Sequence, residues 1–183
     1  MRFSVLASGS RANCTFVEAG GARFLIDCGL SGKQVELRLA AMGIEAASID
    51  AILVTHEHRD HLHGVSVLSR RYQIPVYSNS ATADFIERVH GLEIFQTGGS
   101  ITIGGAELHA FSIVHDAVDP VGFEVFAEGL KLTHVTDLGK VTALVRNALE
   151  GAHAVVLESN YDNELLQICD YPWQLKQRIA SSH

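Results

Sequence analysis

The chain has 183 residues, 47% hydrophobic and 19% charged, enough for one globular domain with a sizeable core. Its formal charge is −7 and no long run of one sign occurs, a balance that does not advertise a nucleic-acid binder and is weak evidence on substrate. No stretch approaches the ~20 apolar residues of a membrane span, and the start MRFSVLASGS is too weakly apolar for a signal peptide. Cys14, Cys28 and Cys169, odd in number and without a CxxC pair, fit a reducing, cytoplasmic setting.

Residues 2–7 alternate toward apolar side chains and run into Ser8-Gly9-Ser10, a strand ending in a tight loop. Residues 14–18 and 22–27 read as a hairpin across Ala19-Gly20-Gly21. Ser31 is placed to cap a helix running to Met42, with Gly43 as its stop. The apolar run 51–54 is a buried strand, followed by a helix over 62–71 and a strand over 74–77. Ser80 caps a further helix ended by Gly91, with Phe85, Ile86 and Val89 on one face. Strands over 101–103, 106–114, 121–127 and 131–136 are separated by Gly104-Gly105, Asp119-Pro120 and Glu128-Gly129. A helix over 141–149, a buried strand over 154–157 and helices over 163–168 and 172–179 complete a single domain without repeats or linkers. Hairpins interleaved with helices predict an α/β architecture, two packed sheets with helices outside.

The stretch Thr55-His56-Glu57-His58-Arg59-Asp60-His61 comes directly behind the buried strand 51–54. His56 and His58 are two apart and point to one side of an extended backbone, while Asp60 and His61 reach toward a second ion. Imidazole combined with carboxylate suits zinc, manganese or iron. His115 closes the strand 106–114 and Asp137 the strand 131–136, so both arrive at the same rim if those strands share a sandwich. The resulting assignment places His56, His58 and His115 on one ion, Asp60 and His61 on the other, and Asp137 between them. Asp60 would also orient the water that such cations acidify. Asp27 and Asp116 are candidates to hold ligand imidazoles from behind, and Glu158 and Asn160 to face the site. The loop carrying Ser8, Ser10, Arg11 and Asn13 reads either as a phosphate cradle or as an ordinary turn.

The string His56-x-His58-x-Asp60-His61 resembles the signature of the metallo-β-lactamase superfamily, most members of which are two-metal hydrolases. Ser8-Gly9-Ser10, Leu25-Ile26-Asp27-Cys28-Gly29, His115-Asp116-Ala117, Asp119-Pro120-Val121-Gly122, Thr136-Asp137-Leu138-Gly139, Glu158-Ser159-Asn160 and Tyr171-Pro172-Trp173 resemble the YycJ (WalJ) subgroup. The resemblance implies a four-layer αββα sandwich and phosphodiester hydrolysis, specifically 5′-to-3′ exonuclease action on DNA. It implies two divalent ions, zinc or manganese with iron possible, and a nucleic acid or other phosphodiester as substrate. The alternatives are an RNA or cyclic-nucleotide phosphodiesterase, a thioester hydrolase of the glyoxalase II type, a di-iron domain and a non-catalytic metal-binding module.

The chain departs from the subgroup in three respects. Arg11-Ala12 stands where it has Ser-Gly, and Tyr161 where it has histidine. The chain also stops before the subgroup's Gly-His-Leu-Ser-Asn, whose histidine completes the second metal. The expectation is a domain lacking its C-terminal end, with a weakly held second ion.

Overall fold

A computed structural model describes residues 1–158 and 163–180. β1 (Arg2–Ala7), β2 (Cys14–Ala19) and β3 (Ala22–Ile26) form an antiparallel meander; β4 (Ala51–Leu53), β5 (Pro75–Asn79) and β6 (Gly91–Phe95) continue it in parallel. The first sheet therefore runs β1-β2-β3-β4-β5-β6. Parallel neighbours require crossovers. These are α1 (Gly32–Ala41), the pair α2 (Arg59–Leu62) and α3 (Val65–Tyr72), and α4 (Ser80–Ala83).

The second sheet is an antiparallel meander of β7 (Ser100–Ile103), β8 (Ala106–Ser112), β9 (Val121–Ala127) and β10 (Leu130–Val135). Through α5 (Ala143–Leu149) the chain returns to lay β11 (Ala154–Leu157) parallel to β10. Two helices come last, α6 (Asn163–Ile168) and α7 (Trp173–Ala180).

Alternation along the strands sorts the apolar side chains into layers. Phe24, Ile26, Ala51 and Leu53 of the first sheet meet Leu108, Phe123, Val125 and Leu132 of the second in a core between the sheets. The opposite face of the first sheet, with Phe16, Leu25, Ile52 and Val76, packs on Val35 and Leu39 of α1 and Val65 and Leu68 of α3. Behind the second sheet, Phe111, Ile113 and Val135 pack on Val145 and Ala148 of α5. The layers are helix, sheet, sheet, helix, as the αββα expectation has it. β4, whose three residues are all fully buried, lies in the middle of the first sheet, so the histidine string behind it emerges at the centre of one rim.

Several elements differ from the sequence reading. The stripe Phe85, Ile86 and Val89 does not continue a helix: α4 stops at Ala83, and residues 91–95 pair with β5 as β6. Register pairing with an existing strand outweighs a local periodicity that both structures can satisfy. Asn79, not Ser80, caps α4, its side chain accepting from Thr82 N at 2.9 Å. Ser31 precedes α1 without a side-chain cap bond. The expected helix over 62–71 is two helices broken at Gly64, whose N–H donates to Cys28 O at 2.7 Å. A Cβ there would lie 2.1 Å from Leu30 O, so no side chain fits at the break. β11 is an edge strand rather than a buried one, with Val155 42% and Leu157 48% exposed.

Candidate metal centre

Four strand ends meet at one rim of the sandwich. Asp27 comes after β3, Thr55 and the histidine string after β4, His115 after β8 and Asp137 after β10. The two sheets are tied together there by Val121 N donating to Thr55 O at 3.1 Å.

Asp27 is the buried anchor. Its Oδ1 accepts from Thr55 N at 2.9 Å, and its Oδ2 accepts the Thr55 hydroxyl at 2.9 Å and His61 Nδ1 at 2.8 Å. Because the Thr55 hydroxyl proton goes to Asp27, its oxygen is left to accept from His56 Nδ1, 2.9 Å away. One carboxylate thus sets both imidazoles with Nδ1 as the protonated nitrogen and turns both Nε2 atoms into the site. His56 Nε2 is buried and has no hydrogen-bond partner among the described residues. Asp27 and Asp137 both hold left-handed backbone, at φ 60° and 52°. Asp tolerates that region better than most side chains, and such conformations concentrate at functional sites.

The donors gather in two overlapping groups. His56, His58 and His115 form one, and His56, His61 and Asp137 the other, with ligand atoms in each group within 4.8 Å of one another. His115 Nε2 faces His58 Nδ1 at 3.1 Å. Nitrogens about 2.0–2.1 Å from one tetrahedral zinc are separated by roughly 3.3 Å, so this pair has the spacing of shared ligands. Asp137 Oδ2 lies 2.6 Å from His61 Nε2 and 3.8 Å from His56 Nε2, an ion-pair approach rather than an aligned hydrogen bond. Asp60 Oδ2 is 3.6 Å from His61 Nε2 and stands outside both groups.

Electrostatics separate the neighbouring rings. Burial works against charging His61 but is outweighed by Asp27 and Asp137, which push its pKa up to about 10. Burial, reinforced by cationic His61, pushes His56 down to about 3. Burial opposes ionisation of Asp137 too, yet His61 holds its carboxyl well below the usual range. Asp27 and Asp137 flank the His61 ring on opposite nitrogens, so positive charge at this point of the site is favoured. With two Nε2 lone pairs preset and a carboxylate facing them, the donor set fits a divalent cation.

Several contacts around this centre were not legible as site features. Asn13 is buried rather than turned to solvent: its Nδ2 lies 3.1 Å from Asp60 Oδ2 and 2.9 Å from His61 Nε2, and its Oδ1 accepts from Gly9 N at 3.0 Å. Glu57 points away from its histidine neighbours and accepts from Val118 N at 2.9 Å, pinning the loop that carries His115. The far side of that loop is held by Asn79 Nδ2 donating to Asp119 O at 2.6 Å and Thr97 Oγ1 donating to Asp119 Oδ2 at 2.7 Å. Asp116 Oδ1 lies 3.3 Å from His115 Nε2. Glu158 accepts from Asp137 N, and burial beside Asp137 raises its pKa. Ser10 and Arg11 line a cleft beside Asp60, whereas Ser8 is exposed outside it. Asn160 lies outside the described residues.

Comparison with known proteins places this arrangement. Residues 22–179 match the family model described as a beta-lactamase superfamily domain. The chain belongs to the beta-lactamase superfamily. Over 99% of its length it is 39% identical to exodeoxyribonuclease YycJ of Bacillus anthracis, covering 71% of that protein. It is 37% identical to exodeoxyribonuclease WalJ of Streptococcus pneumoniae over 98% of the chain and 70% of the relative. Among solved structures it resembles the metallo-beta-lactamase fold protein YhfI of Bacillus subtilis, with a TM-score of 0.72, 17% identity, and coverage of 87% of this chain and 71% of that one. Superfamily membership carries divalent-metal binding with it, and the His/Asp cluster is where this chain offers donors. No helix among the described residues is long and apolar enough to cross a membrane.

Proposed function

We propose that this superfamily member is a metal-dependent phosphodiesterase that degrades DNA as an exonuclease. His56, His58 and His115 would hold one divalent ion; Asp60 and His61 would hold a second, with Asp137 between the two. The observation that carries the reading is the convergence of imidazoles from two different sheets, in a chain 39% identical to a protein called an exodeoxyribonuclease. A bound divalent ion would acidify water near neutral pH and screen the charge that builds on phosphate oxygens as a P–O bond breaks.

The chain's own residues supply positioning. Asp27 fixes the tautomer of His61 directly and that of His56 through Thr55, and Asn13 steadies Asp60 beside His61. Asp60, half-buried at the mouth, is placed to accept the proton of an attacking water. Zinc or manganese suits the mixed donor set. The second ion would be held more weakly: Asp60 is 3.6 Å from His61 Nε2, and no further imidazole among the described residues joins that group. Three unpaired cysteines support a reducing, cytoplasmic location.

Hydrolysis of linear duplex DNA and of bis-p-nitrophenyl phosphate, set against a thioester substrate, tests the proposal. Activity on both phosphodiesters, abolished by His115→Ala and by a chelator, is expected. Thioester cleavage without phosphodiester cleavage would replace the nuclease reading with the glyoxalase type.

A further inference from the structure

Beside the donor cluster lies a cleft of about 340 Å³ lined by Ser10, Arg11, Gly29, Arg59, Asp60 and His63. Asp60 lines the cleft, and its Oδ2 lies 3.6 Å from His61 Nε2 of the cluster, so whatever fills the cleft sits next to whatever occupies the cluster. Two guanidinium groups reach the cleft from different segments, Arg11 from the loop between β1 and β2 and Arg59 from the first position of α2. Neither has a hydrogen-bond or ion-pair partner among the described residues. Several other arginines are engaged, Arg23 with Glu18 and Ser48, Arg71 with Glu36, and Arg38 with Leu6 O; what sets Arg11 and Arg59 apart is that they meet at one cleft.

The cleft is pre-assembled. Asn13 N donates to Asp60 O, Gly29 N to Asn13 O and Cys28 N to His61 O, each at 2.8 Å. These bonds stitch together the three segments that line it. At Gly29 the backbones approach so closely that a Cβ would fall 1.5 Å from Asp60 O. The segments bearing the two cations are therefore fixed relative to the cluster, and only the side-chain ends remain to be ordered by a ligand.

We propose that this cleft is a subsite for a backbone phosphate adjacent to the scissile one, gripped by Arg11 and Arg59. The inference rests on the nuclease reading of the neighbouring cluster. Guanidinium forks match phosphate oxygens in two-point contacts, and the Ser10 hydroxyl adds a donor. The lining holds no Phe, Tyr or Trp to stack a base, so the cleft grips the strand backbone without reading its sequence. It also supplies local positive charge that a chain of net charge −7 lacks overall.

The test uses the full chain in chelator, where nothing is cleaved, with fluorescein-labelled single-stranded DNA of mixed sequence and of oligo-dT followed by anisotropy across a salt series. Arg11→Gln and Arg59→Gln should each weaken binding about tenfold at low salt. Each should also flatten the slope of log affinity against log salt by about 0.7, equally for both sequences. Arg146→Gln, on α5 behind the second sheet, should leave affinity and slope unchanged. With metal restored, the ratio of kcat/KM on DNA to that on bis-p-nitrophenyl phosphate, which has no neighbouring phosphate, should fall about tenfold in each cleft variant, through KM. Wild-type chain that cuts DNA while its cleft variants keep affinity, slope and ratio overturns the subsite alone. A loss shared equally by both substrates also overturns it, since the arginines would then act on the cluster. Wild-type chain that neither binds DNA nor cuts any diester overturns the nuclease reading, and the subsite with it.

Discussion

The two halves of the donor cluster are held in opposite ways. His56 and His61 are fully buried and locked to one carboxylate, Asp27, inside the first sheet, His61 directly and His56 through Thr55. His58 is half-buried, and His115, its side chain only 2% exposed, rides on a loop of the second sheet held from outside by Glu57, Asn79 and Thr97. The first half is part of the folding core, so changes there register as stability. The second half is built on loops at the rim rather than on strands of the core, so changes there register as ligand affinity with little effect on the fold.

The sharpest way to break this contrast is Asp27→Asn, which keeps a side chain tolerant of the left-handed backbone but removes the charge opposite His61. Unfolding in denaturant should show a loss of roughly 3–5 kcal/mol, the range for uncovering one partner of a buried pair. A loss under about 1 kcal/mol would mean the core-anchored half is no more structural than the loop-borne half.

His134 sharpens the comparison beneath that same half. It is buried on β10, its Nε2 3.0 Å from Thr15 Oγ1 across the sheet interface, and burial pushes its pKa down to about 4. In the unfolded chain it takes up a proton near pH 6.5, whereas the folded chain binds that proton only near pH 4. Stability tied to His134 is thus complete above pH 6.5 and lost as pH falls toward 4, by roughly 3 kcal/mol. Denaturant midpoints across that window should fall less for His134→Gln than for wild type; parallel curves would show that His134 titrates alike folded and unfolded.

In the loop-borne half, His58→Ala should leave stability within about 1 kcal/mol while weakening metal binding at least 10–100-fold, the range found for supporting residues. Competition with a chromogenic chelator reads the affinity. Smallest of all, Glu57→Gln keeps an acceptor for Val118 N but removes the charge, and metal affinity should drop only a few-fold, with kcat falling in step.

Locality decides how much of this was legible in the sequence. His56, His58, Asp60 and His61 lie within six residues behind one apolar strand, so their meeting needed no knowledge of the fold. His115 and Asp137 were readable because each is a polar residue closing an apolar run, and strands of one sandwich deliver their ends to common rims. Asp27 was suggested by its place after β3, though its link to His56 through Thr55 was not. The Glu57–Val118 tie, the inward turn of Asn13 and the strand character of residues 91–95 depend on partners far along the chain. Periodicity carries no record of such pairings. The edge exposure of β11 escaped for the same reason: an apolar run reads as buried until its neighbours are known.

Crystals grown with zinc or manganese and measured above and below the metal's absorption edge address the central claim directly. The account predicts a strong anomalous peak bounded by His56 Nε2, His58 Nδ1 and His115 Nε2, with a weaker one beside His61 and Asp137. Metal bound elsewhere on the chain, with those three nitrogens left around water, would contradict it.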